Sequence, residues 1–117
     1  MKLKQLEMAL QRLRGFSRPE AVLEQYRIPA PLAARLLYHA LMKGDIGGKS
    51  VCDLGCGTGM LAIGAALLGS ARVTGVDIDE RALEVARRNA DLAGVEITFI
   101  SADLRQGDCR KRIDPCD

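Results

Sequence analysis

Leucines open the chain at helical spacing: Leu3, Leu6, Leu10 and Leu13 share one face, Lys4, Gln11, Arg12 and Arg14 lie opposite, and Gly15 follows as a stop. That period predicts an amphipathic helix covering a sheet edge or a ligand cleft. Ser17-Arg18-Pro19-Glu20 sets a capping serine three residues ahead of a glutamate and predicts a short helix over 18–23. Pro29 and Pro31 bar helix before position 31, so 24–31 reads as extended. Leu32, Leu36, Leu37 and Leu41 then define a helix that ends at Gly44. Beyond the turn-forming linker Asp45-Ile46-Gly47-Gly48-Lys49 the pattern changes. Short apolar runs now alternate with helical ones: strand 50–54, helix 60–68 stopped by Gly69, strand 72–76, helix 80–93 and strand 96–100. The second of these helices has Asp79 as its cap, Leu83, Ala86, Ala90 and Ala93 as its buried stripe, and Gly94 as its end. Such alternation predicts an α/β fold with a parallel, right-handed doubly wound sheet behind an N-terminal helical cap. The expected division is one domain with a cap over 1–46, an α/β unit over 50–104 and an irregular tail over 105–117. Polar, charged and interrupted by Pro115, that tail cannot supply a buried parallel strand.

With 117 residues the chain makes one domain at most, and 3% aromatic content leaves its core to aliphatic side chains. The net charge of +2 is unevenly spread, because basic residues outnumber acidic ones up to Ser50 and the balance reverses afterwards. A basic leading segment suits an RNA partner and suits a solvated helix face equally. Cys52, Cys56, Cys109 and Cys116 form no C-x-x-C pair and His39 is the only histidine, so no metal site is expected. Cys52 and Cys56 read as small buried or loop residues in a reducing compartment. No apolar run is long enough to span a bilayer and no signal-peptide pattern opens the chain, which sets the expectation of a cytoplasmic protein without a membrane partner.

The chemistry concentrates in Val51-Cys52-Asp53-Leu54-Gly55-Cys56-Gly57-Thr58-Gly59. Glycine at Gly55, Gly57 and Gly59 removes the Cβ atoms that would hold a ligand off the backbone, and it permits positive φ in a tight strand-to-helix turn. The spacing is G-x-G-x-G, with Met60 following, whereas the dinucleotide fingerprint has its last glycine three positions after the second. Asp53 can brace the turn's N–H groups or hold an ammonium through water. Asp77, at the end of the second strand, is placed to accept two ribose hydroxyls. These features narrow the ligand to an adenosine that carries a free amino acid.

Here the chain resembles the class I S-adenosylmethionine-dependent methyltransferases, and within them the family of rRNA adenine-N6 methyltransferases that contains methyltransferase-like protein five. The resemblance rests on Leu23-Glu24-Gln25-Tyr26, Ala33-Ala34-Arg35-Leu36-Leu37-Tyr38, Asp53-Leu54-Gly55-Cys56-Gly57, Leu61-Ala62-Ile63-Gly64, Asp77-Ile78-Asp79-Glu80 and Arg88-Asn89-Ala90. It covers the chain from about Lys2 to Leu104. It implies a Rossmann-like sheet of which this chain holds the first three strands, S-adenosylmethionine as cofactor, and RNA as substrate. A small zinc-binding activator protein is the partner it implies. It assigns cofactor contacts to Gln25, Ile28, Asp53, Gly55, Gly57, Thr58, Gly59, Met60 and Asp77, with Asp103 and Leu104 at the adenine. Where the family usually has a Pro-Thr pair this chain has Arg27-Ile28, so a hydroxyl contact is lost.

The family's next element is a fourth strand beside the first, ending in Asn-Pro-Pro-Phe, and no residue of this chain matches that motif. In the family those residues orient the target amine, accept its hydrogens and stack on the flipped base. No catalytic residue is therefore assigned. The expectation is a methyltransferase truncated before its catalytic motif, with a foreign or frame-altered tail and an exposed first strand. Two other functions compete with this reading. One is an inactive cofactor-binding or protein-interaction module that uses that strand edge. The other is a nicotinamide-dependent oxidoreductase, disfavoured by Met60 in place of glycine.

Overall fold

The computed structural model describes residues 1–13 and 28–103. Its elements run α1 (Leu3–Gln11), α2 (Ala30–Met42), β1 (Ser50–Leu54), α3 (Met60–Leu67), β2 (Arg72–Asp77), α4 (Glu80–Ala93) and β3 (Thr98–Ser101). The strands form one sheet in the order β1-β2-β3, both pairs parallel. This is the α/β arrangement that the alternation predicts. The expected helix over 18–23 and the tail from Leu104 onward lie outside the described residues.

Local chemistry explains the boundaries. The Asp79 carboxylate accepts the Arg81 N–H at 2.9 Å and caps α4, and Gly94, at φ +73°, ends it. Helix α2 starts at Ala30, earlier than the leucine pattern indicates, because Pro31 needs no hydrogen-bonded N–H in a first turn. Strand β3 is shifted toward its C-terminal end relative to 96–100, since its register is set by β2: Thr98 pairs with Thr74 and Ser101 with Asp77. The linker pins β1 beside β2, with Gly48 N–H on the Gly69 carbonyl at 2.9 Å and Ala71 N–H on the Lys49 carbonyl at 2.8 Å.

Helices α3 and α4 pack on the sheet, while α1 and α2 pack on each other and on α3. Helix α1 is thus a cover for helices rather than for the sheet edge or a cleft. Leu6, Leu10, Ala33, Ala34, Ala62 and Ile63 are fully buried where these three helices meet. Gly64 leaves room for the close approach of α2: an added Cβ would overlap the Cδ1 of Leu37 and force that side chain to shift. Tyr38 donates its hydroxyl to the Met1 carbonyl at 2.9 Å and ties α2 to the start of α1. Among the described residues β1 has β2 as its one strand neighbour and forms the edge of the sheet. The carboxyl ends of all three strands open on one side, the side on which an open α/β sheet holds its ligands.

Candidate functional site

The turn from β1 into α3 is built on left-handed glycines: φ is +76° at Gly55, +56° at Gly57 and +90° at Gly59. A Cβ on Gly55 or Gly57 would meet nothing within 4 Å, so the backbone there borders open space. On its inner side the turn is held tightly. Gly55 N–H and Cys56 N–H both donate to the Val76 carbonyl, at 2.7 and 2.9 Å, and Gly59 N–H closes on the Cys56 carbonyl at 3.0 Å. Gly57 N–H donates to Asp77 Oδ2 at 2.8 Å. From the other side Asn89 of α4 donates its Nδ2 to the Thr58 carbonyl at 2.9 Å. Four of the turn's five amide N–H groups are satisfied by the protein; that of Thr58 has no partner among the described residues.

Asp77 ends β2 and is 7% exposed. Its Oδ1 accepts the Asp79 N–H at 2.9 Å while Oδ2 accepts Gly57 N–H. Two carboxylate oxygens offer about four lone-pair sites, so two acceptor positions remain for a ligand's hydroxyls. Asp53, on β1, is pushed up to about 6, first because it is buried and next because the Asp77 charge is near; the Ala62 N–H of α3 opposes the rise. A carboxylate raised in this way gains from a cation beside it. Cys56 is buried and pushed up to about 12, by burial first and then by the charges of Asp53 and Asp77. Its thiol is therefore inert. Gly75 on β2 makes room for it, since a Cβ there would stand 2.9 Å from the Cys56 Sγ and from the Phe99 ring.

Asp53, Asp77 and Asp103 stand at or just past the carboxyl ends of β1, β2 and β3, and Gly55, Gly57, Thr58 and Gly59 complete the same rim. Met60 departs from expectation. Its side chain is buried in the hydrophobic core that also holds Leu37, which leaves its main chain at the turn. Ile28, half-buried, packs against that same core just ahead of α2. Gln25 and Leu104 lie outside the described residues. Two groups escape sequence reasoning. Ile78, apolar yet 57% exposed, directly follows Asp77, and its place one residue past the strand's last acidic position was the available signal. Asn89 is 1% exposed on a helix face otherwise made of Ala82, Leu83, Ala86 and Ala90. No group of three or more potential metal ligands occurs among the described residues.

Comparison with known proteins agrees with this geometry. Residues 34–114 match the family model of the ribosomal protein L11 methyltransferase (PrmA). The chain belongs to the class I methyltransferases. An rRNA N6-adenosine methyltransferase of Danio rerio is 47% identical over 93 residues, which are 78% of this chain and 44% of that protein. A crystal structure of a candidate RNA methyltransferase from Pyrococcus horikoshii superposes with a TM-score of 0.80 at 40% identity, over 91% of this chain and 53% of that one. A tRNA (uracil-54, C5)-methyltransferase of Pyrococcus abyssi, in complex with S-adenosyl-L-homocysteine, superposes with a TM-score of 0.55 at 30% identity, over 66% of this chain and 19% of that one. This methyltransferase chain spans about half the length of the curated relatives it matches first, 48%, 44% and 51% of them.

Proposed function

We propose that the chain is the cofactor-binding half of an S-adenosylmethionine-dependent methyltransferase that acts on adenine N6 in RNA, within the cytoplasm. The observation that carries the cofactor is the pairing of a bare glycine turn with half-buried Asp53 and buried Asp77. S-Adenosylmethionine supplies a methyl group activated on a sulfonium. In this reading Asp53 faces the cofactor's ammonium, Asp77 its ribose, Ile78 offers an apolar face to the adenine ring and Asp103 a carboxylate to its amino group. The turn's open backbone side admits the methionine portion, and the Thr58 N–H is the donor left for it. The substrate class is supported by the zebrafish rRNA methyltransferase and by the Pyrococcus horikoshii protein. A small zinc-binding activator protein is the partner proposed with it. Since no residue matches the Asn-Pro-Pro-Phe motif, cofactor binding is the share of the reaction assigned to residues 1–117.

Calorimetric titration of the chain with S-adenosylmethionine, with NAD as control, tests the reading. Saturable binding of the first and none of the second is expected. A folded chain that binds neither ligand, or binds NAD alone, overturns it.

A second reading rests on β1, whose outer edge has no strand partner among the described residues. Such an edge is a template for strand addition by another polypeptide. Cofactor binding and edge pairing are compatible.

A further inference from the structure

We infer that Asn89 is a positioning residue for the cofactor: by holding the Thr58 carbonyl it fixes the shape of the glycine turn on the side away from Asp77. The inference rests on the cofactor reading above and adds to it a residue that reaches the site from α4.

A buried amide on an otherwise apolar helix stripe requires a reason, because an aliphatic side chain would pack there without an unmet polar group. Asn89 is 1% exposed, yet its neighbours on that face are Ala82, Leu83, Ala86 and Ala90. No buried side-chain nitrogen or oxygen among the described residues lacks a partner, so the amide is used. Its Nδ2 donates to the Thr58 carbonyl at 2.9 Å, across 31 residues of chain.

What that bond does follows from peptide planarity. The Thr58 carbonyl and the Gly59 N–H belong to one peptide unit and point in opposite directions. Asn89 holds the carbonyl end while the Cys56 carbonyl holds the N–H end at 3.0 Å. The Cys56–Gly57 unit, two units back along the chain, is gripped by Asp77 through Gly57 N–H at 2.8 Å. Asp77 and Asn89 thus clamp, from a strand and a helix, the two peptide units on either side of the Gly57–Thr58 unit, whose Thr58 N–H has no partner among the described residues and is left for a ligand. Gly59 has little room to rearrange on its own, because a Cβ there would already stand 3.2 Å from that of Ala86. Without the Asn89 donor the Thr58 carbonyl would be left unsatisfied in the interior, and rotation of its peptide toward solvent would carry the carbonyl into the ligand's space.

The methionine portion of the cofactor should feel this change and its adenosine portion should not. The Asn89→Leu chain, which keeps the branched side-chain shape and an apolar stripe, is compared with Asn89→Ala and the native chain. Each is titrated with S-adenosylmethionine and with 5′-methylthioadenosine, which lacks the amino acid. We expect a loss of about tenfold in S-adenosylmethionine affinity in both variants, the size of one hydrogen bond to a fixed group, and a change under about twofold for methylthioadenosine. Amide hydrogen exchange supplies a readout independent of any ligand: the Gly59 amide should exchange faster in both variants while the Ile63 amide of α3 keeps its protection. Unchanged exchange at Gly59, or equal weakening of both ligands in a folded Asn89→Leu chain, would overturn the inference. Should the native chain bind neither ligand, the cofactor reading fails, and accelerated Gly59 exchange would still establish Asn89 as the residue that sets the turn.

Discussion

The Asp77 carboxylate and the Gly57 N–H, twenty residues apart in the chain, meet at 2.8 Å and join the end of β2 to the middle of the glycine turn. One side chain therefore serves two ends: it shapes the turn through Oδ2 and keeps lone pairs for a ligand. Asp77→Ala should weaken S-adenosylmethionine binding by more than about tenfold and lower stability by about 1–3 kcal/mol, because two backbone N–H groups lose a charged acceptor. Titration calorimetry and denaturant unfolding measure the two effects separately. Full retention of affinity in Asp77→Ala would remove this residue from the site.

Asp53 makes the site sensitive to pH. Its folded value, pushed up to about 6, stands above its ordinary 3.8, so the folded chain binds this proton more tightly than the unfolded chain. Its contribution to stability is then greatest below about pH 4 and is lost as pH rises through about 6, by roughly 3 kcal/mol at most. A cationic ligand has the opposite preference, for the ionised form. Affinity for S-adenosylmethionine should rise between about pH 5 and about pH 7.5. Asp53→Asn should flatten that profile while stabilising the free chain above about pH 6. A pH profile identical in the variant and the native chain would count against the assignment.

Gly59 combines φ +90° with a Cβ position 3.2 Å from the Ala86 Cβ. Gly59→Ala therefore meets backbone strain and crowding at once, and a loss of about 2 kcal/mol is expected by urea unfolding. Gly55→Ala, with nothing near its Cβ, should meet the conformational penalty alone and cost less. Equal costs would show that packing against α4 does not matter at Gly59.

Cys56, pushed up to about 12, carries almost no thiolate near neutral pH. Iodoacetamide should leave it unmodified in the folded chain and label it after denaturation, as peptide mass spectrometry will show. Rapid labelling of Cys56 under native conditions would mean that the turn opens readily.

Much of the fold is legible along the chain because its causes are local. Asp79 and Gly94 bound α4 through their own backbone and capping chemistry, and α4 occupies 80–93 as its periodicity and caps predict. The run Ser50–Leu54 followed by glycine at every second position suffices to mark strand, turn and helix, and Asp53, Gly55, Gly57 and Asp77 stand out as candidates on residue type and spacing alone. Met60 shows where that reading stops. Spacing places it beside the turn, but the start of α3 directs its side chain into the core with Leu37.

The order of elements, the parallel α/β class and the glycine turn were thus determined by the sequence itself, through periodicity, caps and the steric freedom of glycine. Tertiary structure alone decided that Asp77 grips Gly57, that Asn89 reaches Thr58 across 31 residues, and that Asp53 and Asp77 lie close enough to raise one carboxyl. The reason is physical. These pairings depend on the register of β1 against β2 and on how closely α4 sits over the turn, quantities set by packing between elements that no local pattern encodes.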